Sequence, residues 1–138
     1  MIAPKNFLVI LIATISVSVV ILLNSNYEND NFSNFTFDAV YLKDSKSILI
    51  TFADVNQKSS FAILEILGME ETFHEEFEIS DSKFTRLVPI ENVPKYGWKT
   101  TPVTLEITYD ESIVYMKTEI HNEDQISPPV IFGKMSNY

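Results

Sequence analysis

Apolar and polar side chains alternate with a period of two along most of the chain, from Phe35 to Ile120. Strict alternation predicts a β-strand with one buried face, because successive side chains of a strand point to opposite sides of the sheet. The clearest run sets four apolar side chains against three polar ones: Val103, Leu105, Ile107 and Tyr109 against Thr104, Glu106 and Thr108. No helical period of comparable length occurs after residue 24. The pattern therefore predicts an all-β domain.

Seven such runs follow one another, near residues 35–41, 48–52, 61–67, 73–79, 84–90, 103–109 and 114–120. Seven short strands with frequent turns are typical of a sandwich of two sheets. The third run, Phe61–Leu67, is almost continuously apolar, which is typical of a sheet centre or of a strand buried on both sides. Glu75 and Arg86 interrupt the otherwise apolar sides of their strands. The longest connection, Glu91–Pro102, predicts a crossing between the two sheets.

In strand count, these seven runs resemble immunoglobulin-like and fibronectin type III domains. The resemblance implies a seven-stranded immunoglobulin-like or fibronectin III-like β-sandwich over residues 35–121. The chain has no Cys, so the disulfide of true immunoglobulin domains is absent, and Trp98 lies in the long connection instead of an early strand. The prediction therefore concerns architecture and names no family.

A different kind of segment stands at the N-terminus, where the seventeen residues Phe7–Leu23 carry no charge. As a helix this segment is about 25 Å long, and flanking residues extend it towards the roughly 30 Å of a hydrocarbon core. We predict that residues 1–23 are a cytoplasmic start and a transmembrane signal anchor. The alternative is a cleaved signal peptide, although no small-x-small cleavage pattern follows the segment.

The distribution of charge predicts the orientation of this anchor. Lys5 is the only charged side chain before the apolar segment, and all the acidic residues follow it. By the positive-inside rule the N-terminus lies in the cytoplasm and the later residues lie outside, in a single-pass protein of the cell membrane.

Two polar segments flank the predicted sandwich, a linker at residues 24–34 and a C-terminal tail at residues 122–138. The linker contains Asn31 and Asn34, each in an N-x-[S/T] triplet, which predicts glycosylation unless an Asn-rich segment produced the triplets by chance. In the tail, Pro128 and Pro129 exclude a central strand. The apolar triplet 130–132 follows them, and three arrangements are open to it. It packs back on the sandwich, it moves without partners, or it contacts another protein.

Composition excludes several classes of function. The chain has 10 basic and 19 acidic residues, a net charge of −9, which argues against nucleic acid as a partner. The absence of Cys removes thiol nucleophiles and thiolate-bound metals, and three Gly leave no phosphate-binding loop. We therefore expect no cofactor and no enzymatic activity.

The remaining candidates for chemistry are two histidines and one acidic cluster. His74 and His121 are the candidate metal ligands, and the alternative is that both are solvated at strand edges. Six acidic residues lie between Glu70 and Asp81. They predict a charged edge strand that resists pairing with other sheets, a weak site for divalent cations, or a surface for a basic protein.

Together these observations predict a single-pass, membrane-anchored extracytoplasmic β-sandwich with a structural or protein-binding role. Such a protein would serve as an accessory subunit of a membrane complex or as part of the cell envelope. The alternative is an exported soluble domain, released by signal cleavage, that binds a ligand or a metal. A surface enzyme would require His74 and His121 to converge with carboxylates in one pocket.

Overall fold

The computed structural model describes residues 32–136, which form a sandwich of two β-sheets. A short 3-10 helix, Phe32–Asn34, precedes five strands: β1 (Phe35–Leu42), β2 (Ser47–Asp54), β3 (Ser59–Ile66), β4 (Phe73–Glu78) and β5 (Lys83–Pro89). A second 3-10 helix, Trp98–Thr100, precedes four more: β6 (Pro102–Tyr109), β7 (Ser112–Glu119), β8 (His121–Asn122) and β9 (Ile131–Ser136). The seven predicted strands are confirmed as β1 to β7.

One sheet has four strands in the order β5-β2-β1-β8, and the other has five in the order β4-β3-β6-β7-β9. Neighbouring strands are antiparallel except for the short β8, which runs parallel to β1. The long connection after β5 crosses between the sheets, as predicted.

The core lies between the two sheets and consists of the alternate apolar side chains of each strand. Its largest fully buried members are Phe52, Ile48, Ile50, Leu64, Ile66, Leu105, Ile107 and Met116. Burial of each such side chain contributes about 1.5–3 kcal/mol. The period of two in the sequence therefore identifies correctly which side of each strand faces inward, except for β3, whose run is apolar on both sides.

The tail differs from the seven-stranded expectation, because it adds two strands. β9 pairs with the outer edge of β7, and the ring of Phe132 stacks on Phe32 with 4.7 Å between centroids. β9 begins after Pro128 and Pro129 and is an edge strand of its sheet. Of the three arrangements considered for the tail, packing against the sandwich is the one observed. Sequence periodicity missed β9 because Gly133 and Lys134 interrupt its apolar pattern.

The two residues that broke the apolar pattern, Glu75 and Arg86, bind each other. Arg86 Nε donates to both carboxylate oxygens of Glu75, at 3.0 and 3.1 Å. The guanidinium group also lies 4.0 Å from the centroid of the Phe77 ring. Both residues point inward at the edge where β4 and β5 meet, so the pair closes one side of the sandwich without leaving a buried charge unpaired.

The connection from β2 to β3 crosses between the sheets, and Asp54 holds it. This fully buried carboxylate accepts hydrogen bonds from the backbone amides of Asn56, Lys58 and Ser59 and from the hydroxyl of Ser59, at 2.8–2.9 Å. Burial by itself raises the pKa of Asp54, but the hydrogen bonds outweigh it and hold the pKa below its ordinary value. The carboxylate thus replaces water for four donors at the point where the chain changes sheets.

A glycine is required where the turn after β3 meets the long connection. Gly68 has φ +78°, and a Cβ at this position would collide with the backbone oxygen of Thr100. Both the left-handed conformation and the close approach exclude other residues.

Residues 32–136 contain no helix of the length and apolarity that a membrane crossing requires. The predicted membrane helix, Phe7–Leu23, lies outside the described residues.

Candidate interaction surface

The five-stranded sheet has one side against the core and one side towards solvent, called the outer face below. Its members are the side chains that alternate with the buried ones on β4, β3, β6, β7 and β9. From β4 to β9 they include His74, Glu76, Glu78, Phe61, Ile63, Glu65, Pro102, Thr104, Glu106, Thr108, Ile113, Tyr115, Lys117, Glu119 and Ile131. No third layer within residues 32–136 covers this side.

The outer face carries two apolar pairs, which are separated by Glu106 and Thr108 of β6. Phe61 and Ile63 are half-buried on β3, and Ile113 and Tyr115 are half-buried on β7. Ile131, on β9, is 65% exposed. The continuous apolar run that contains Phe61 and Ile63 is typical of burial on both sides. The structure covers only one of those sides, which makes the other side a candidate for contact with a second molecule.

Carboxylates surround the apolar pair on β3. Glu76 and Glu106 lie on either side of Ile63 in the register of the sheet, and Glu78 is opposite Phe61. Glu65 lies in the next row. Among the outer-face side chains that the structure describes, Lys117 is the one Lys or Arg. Phe61 and Ile63 therefore lie inside a negatively charged rim of four carboxylates, and Glu106 separates Ile63 from Tyr115 on β7.

His74 is held within this rim by two carboxylates. Its Nδ1 lies 2.8 Å from Glu65 Oε1, and its Nε2 lies 3.1 Å from Glu76 Oε1. The hydrogen bond to Glu65, and after it the one to Glu76, raises the pKa of His74 above its ordinary value. The two ring nitrogens point in different directions, so a single metal ion would contact one nitrogen and one of these carboxylates. The geometry is that of an imidazolium bridging two acids on neighbouring strands.

Tyr115 and Glu106 are a further pair on the outer face. A hydrogen bond to Glu106 raises the pKa of the Tyr115 hydroxyl. The two residues are directly opposite in the register of β6 and β7. Periodicity alone did not identify Phe61, Ile63, Ile113 and Tyr115 as a surface. The available signal was the apolar character of both alternating sets in the third run.

His121, the second predicted ligand, lies in the other sheet and is buried. Its Nε2 is 2.9 Å from Asp38 Oδ1 and 3.3 Å from the hydroxyl of Ser127, and its Nδ1 is 2.8 Å from the backbone oxygen of Asn122. A catalytic triad needs the carboxylate and the serine on opposite ring nitrogens. Here both meet the same nitrogen, so the group fastens the tail to β1 and does not activate Ser127.

The structure thus separates the two histidines and gives each its own partners. His74 is on β4 at the edge of one sheet, and His121 is on β8 at the edge of the other. Residues 32–136 contain no group of three or more His, Asp and Glu side chains arranged to hold a metal ion. The assignment of His74 and His121 as metal ligands stays a prediction.

Asn34, one of the two predicted glycosylation sites, lies at the entry to the sandwich. Asn34 ends the first 3-10 helix and is half-buried, and its backbone oxygen accepts a hydrogen bond from the amide of Val55 at 3.0 Å. Asn31 lies outside the described residues. Glycosylation of both stays a prediction.

The acidic cluster divides into parts with different roles. Glu70 and Glu71 are exposed in the turn after β3, Glu75 binds Arg86, and Glu76 and Glu78 belong to the outer face. β4, which carries three of the six, is an edge strand. This placement fits the expectation of a charged edge that resists pairing with another sheet.

Two concave regions lie away from the outer face. A shallow groove of about 580 Å³ runs between β1 and the tail, with Phe35, Asp38 and Pro128 in its lining. A cleft of about 830 Å³ lies between the turn after β3 and the long connection, near Glu91 and Tyr96.

Compared with known protein families, curated proteins and solved structures, the chain matches none of them.

Proposed function

We propose that this chain is a membrane-anchored extracytoplasmic protein whose β-sandwich binds another protein through the outer face. The observation that carries the proposal is the uncovered side of β3. Phe61 and Ile63 are large apolar side chains at the centre of a sheet side that nothing in residues 32–136 covers. A second protein would complete the two-sided burial that the apolar run predicts.

The proposed anchor is the uncharged segment Phe7–Leu23, with Lys5 on the cytoplasmic side. The role is that of an accessory subunit of a membrane complex or a component of the cell envelope. The proposal is one of binding and not of catalysis, because the His121 cluster lacks the arrangement that activates a serine.

We further propose that the sandwich is of the immunoglobulin-like class, in the fibronectin III-like form. In immunoglobulin constant domains the fourth strand belongs to the sheet of the first, second and fifth strands. Here β4 lies beside β3 instead, and β1, β2 and β5 form the other sheet. The strand order of β1 to β7 supports this assignment, and β8 and β9 are additions at the edges.

The experiment is co-purification of a C-terminally tagged full chain from native membranes in a mild detergent. Two variants are compared, Ile63→Lys on the outer face and Leu49→Lys on the outward side of β2 in the other sheet. Both wild-type side chains are apolar, half-buried and outward-facing on an inner strand, so the variants are matched. Urea unfolding of each purified variant verifies that it remains folded.

We expect a membrane protein in fixed ratio with the wild-type chain and with Leu49→Lys, and its loss with Ile63→Lys. Retention of the partner by folded Ile63→Lys would contradict the proposal. The intact mass of the purified chain tests the anchor, because a species without residues 1–23 would support the exported soluble alternative.

A further inference from the structure

We propose that the partner of the outer face presents an apolar patch surrounded by Lys and Arg side chains. This inference rests on the proposed function and specifies the chemistry of the partner. It is derived from the charges around the apolar side chains, whereas the proposal of a binding face rests on the apolar side chains alone.

The apolar part of the match comes from four half-buried side chains. Phe61 and Ile63 lie on β3, and Ile113 and Tyr115 lie two strands away on β7. Because the sheet separates neighbouring strands by about 4.8 Å, the two pairs are about 10 Å apart, with Glu106 and Thr108 of β6 between them. Aromatic and aliphatic side chains of this kind form the desolvated centre of protein interfaces.

The charged part of the match comes from the rim. Glu65, Glu76, Glu78 and Glu106 face outward around Phe61 and Ile63. Among the outer-face side chains that the structure describes, Lys117 is the one Lys or Arg. His74 bridges two of these carboxylates and leaves the rim negative overall. A partner with basic side chains at its rim would gain attraction here, whereas an acidic partner would be repelled.

The same charges exclude a second copy of this chain as the occupant. A symmetric dimer through the outer face would bring two sets of four rim carboxylates together. Like charges opposed across an interface oppose association strongly. The partner is therefore a different protein of complementary charge.

The test uses photo-crosslinking from single cysteines, since the chain has no Cys of its own. The purified full chain carries benzophenone maleimide at Thr104→Cys on the outer face or at Thr85→Cys on the other sheet. Each is mixed with detergent-solubilised host membranes, irradiated and recovered by its tag. Mass spectrometry identifies the crosslinked peptides.

Two double variants are placed in the Thr104→Cys background. Glu76→Gln with Glu78→Gln removes two charges from the rim, and Glu70→Gln with Glu71→Gln removes two from the turn outside it. The two variants have equal net charge, so they separate a local effect from a general one. Crosslinking is repeated at low and at high salt.

We expect an adduct from Thr104→Cys and none from Thr85→Cys, with Lys or Arg in or beside the crosslinked peptide. The yield of this adduct should fall about fivefold when both rim charges are removed, because each surface ion pair contributes about a threefold change or less. High salt should lower the crosslinking yield to a similar extent, because salt screens exposed charges. The turn variant should leave the yield unchanged.

The contrary results distinguish the two proposals. An adduct at Thr104→Cys that is insensitive to salt and to the rim substitutions would overturn the basic partner and leave the binding face intact. An adduct to a second copy of the chain would also overturn the basic partner. No adduct at Thr104→Cys, or equal adducts at both positions, would overturn the binding face itself.

Discussion

Replacement of Asp54 by Ala should destabilise the sandwich more than replacement of any exposed acid. Asp54 is fully buried and accepts four hydrogen bonds where the chain crosses from β2 to β3. In the Ala variant, water can reach the partly buried amides of Asn56 and Lys58 more easily than the buried amide and hydroxyl of Ser59. The energetic cost should therefore come mainly from the two groups of Ser59.

A hydrogen bond to a charged group contributes about 1.5–3 kcal/mol when its loss leaves the partner unsatisfied. Two such bonds to Ser59 give an expected loss of about 3–6 kcal/mol for Asp54→Ala. This is a large part of the roughly 5–15 kcal/mol that stabilises a typical domain. Asp54→Asn keeps one oxygen acceptor and should lose less than Asp54→Ala.

The dependence of stability on pH has a definite sign at this residue. The pKa of Asp54 is lowered in the folded chain, so the unfolded chain binds the proton more tightly. The contribution of Asp54 to stability is complete above its ordinary value of 3.8 and is lost as the pH falls through the lowered pKa. Asp54→Ala should therefore remove part of the acid destabilisation that the wild-type chain shows.

The assay is urea unfolding of the full chain in mild detergent, followed by the fluorescence of Trp98. This is the one Trp of the chain, and it packs against Tyr41 with 4.9 Å between ring centroids. Asp44→Ala is the control, because Asp44 is an exposed Asp in the turn between β1 and β2, and it should change stability by less than about 0.5 kcal/mol. A loss below about 1 kcal/mol for Asp54→Ala would refute the reasoning, as would an Asp54→Asn variant as stable as the wild type.

Three other predictions concern Gly68, the pair of Arg86 and Glu75, and His74. Gly68→Ala should lower stability by about 2–4 kcal/mol, because it combines a left-handed backbone with a collision of the new Cβ. Gly133→Ala is the control and should change stability little, since its nearest contact is at 3.8 Å, and equal thermal midpoints of the two variants would contradict the prediction. A double-mutant cycle of Arg86→Met and Glu75→Gln should give a coupling energy of about 1 kcal/mol, and additive losses would show that the pair does not close the edge. The pKa of His74, followed by NMR, should lie above 6.5 and fall when Glu65 and Glu76 are replaced by Gln. The ion pairs of His74 contribute to stability below pH 6.5, and this contribution is lost as the pH rises through the raised pKa. If the stability of the Gln variant depended on pH as that of the wild type does, the ion pairs would be contradicted.

The seven main strands and their inward sides could be predicted because alternation is a local property. Val103, Leu105 and Ile107 are buried as their period requires, and neighbouring residues along the chain suffice to show it. The outer face could not be predicted in the same way. Whether Ile63 is covered depends on which strands lie over it, and the apolar run is compatible with burial on one side or on both.

The strands, the buried side of each strand except β3, and the excess of acidic residues outside the N-terminal segment could be predicted before the fold was known. These follow from side-chain alternation and composition, which require no knowledge of distant contacts. Three other features became visible in the folded chain alone: Glu75 and Arg86 neutralise each other, β9 pairs with β7, and His74 and His121 belong to different sheets. Each of these depends on pairing between strands far apart in the chain, and that choice is made by the packing of the whole sandwich, which a local pattern does not encode.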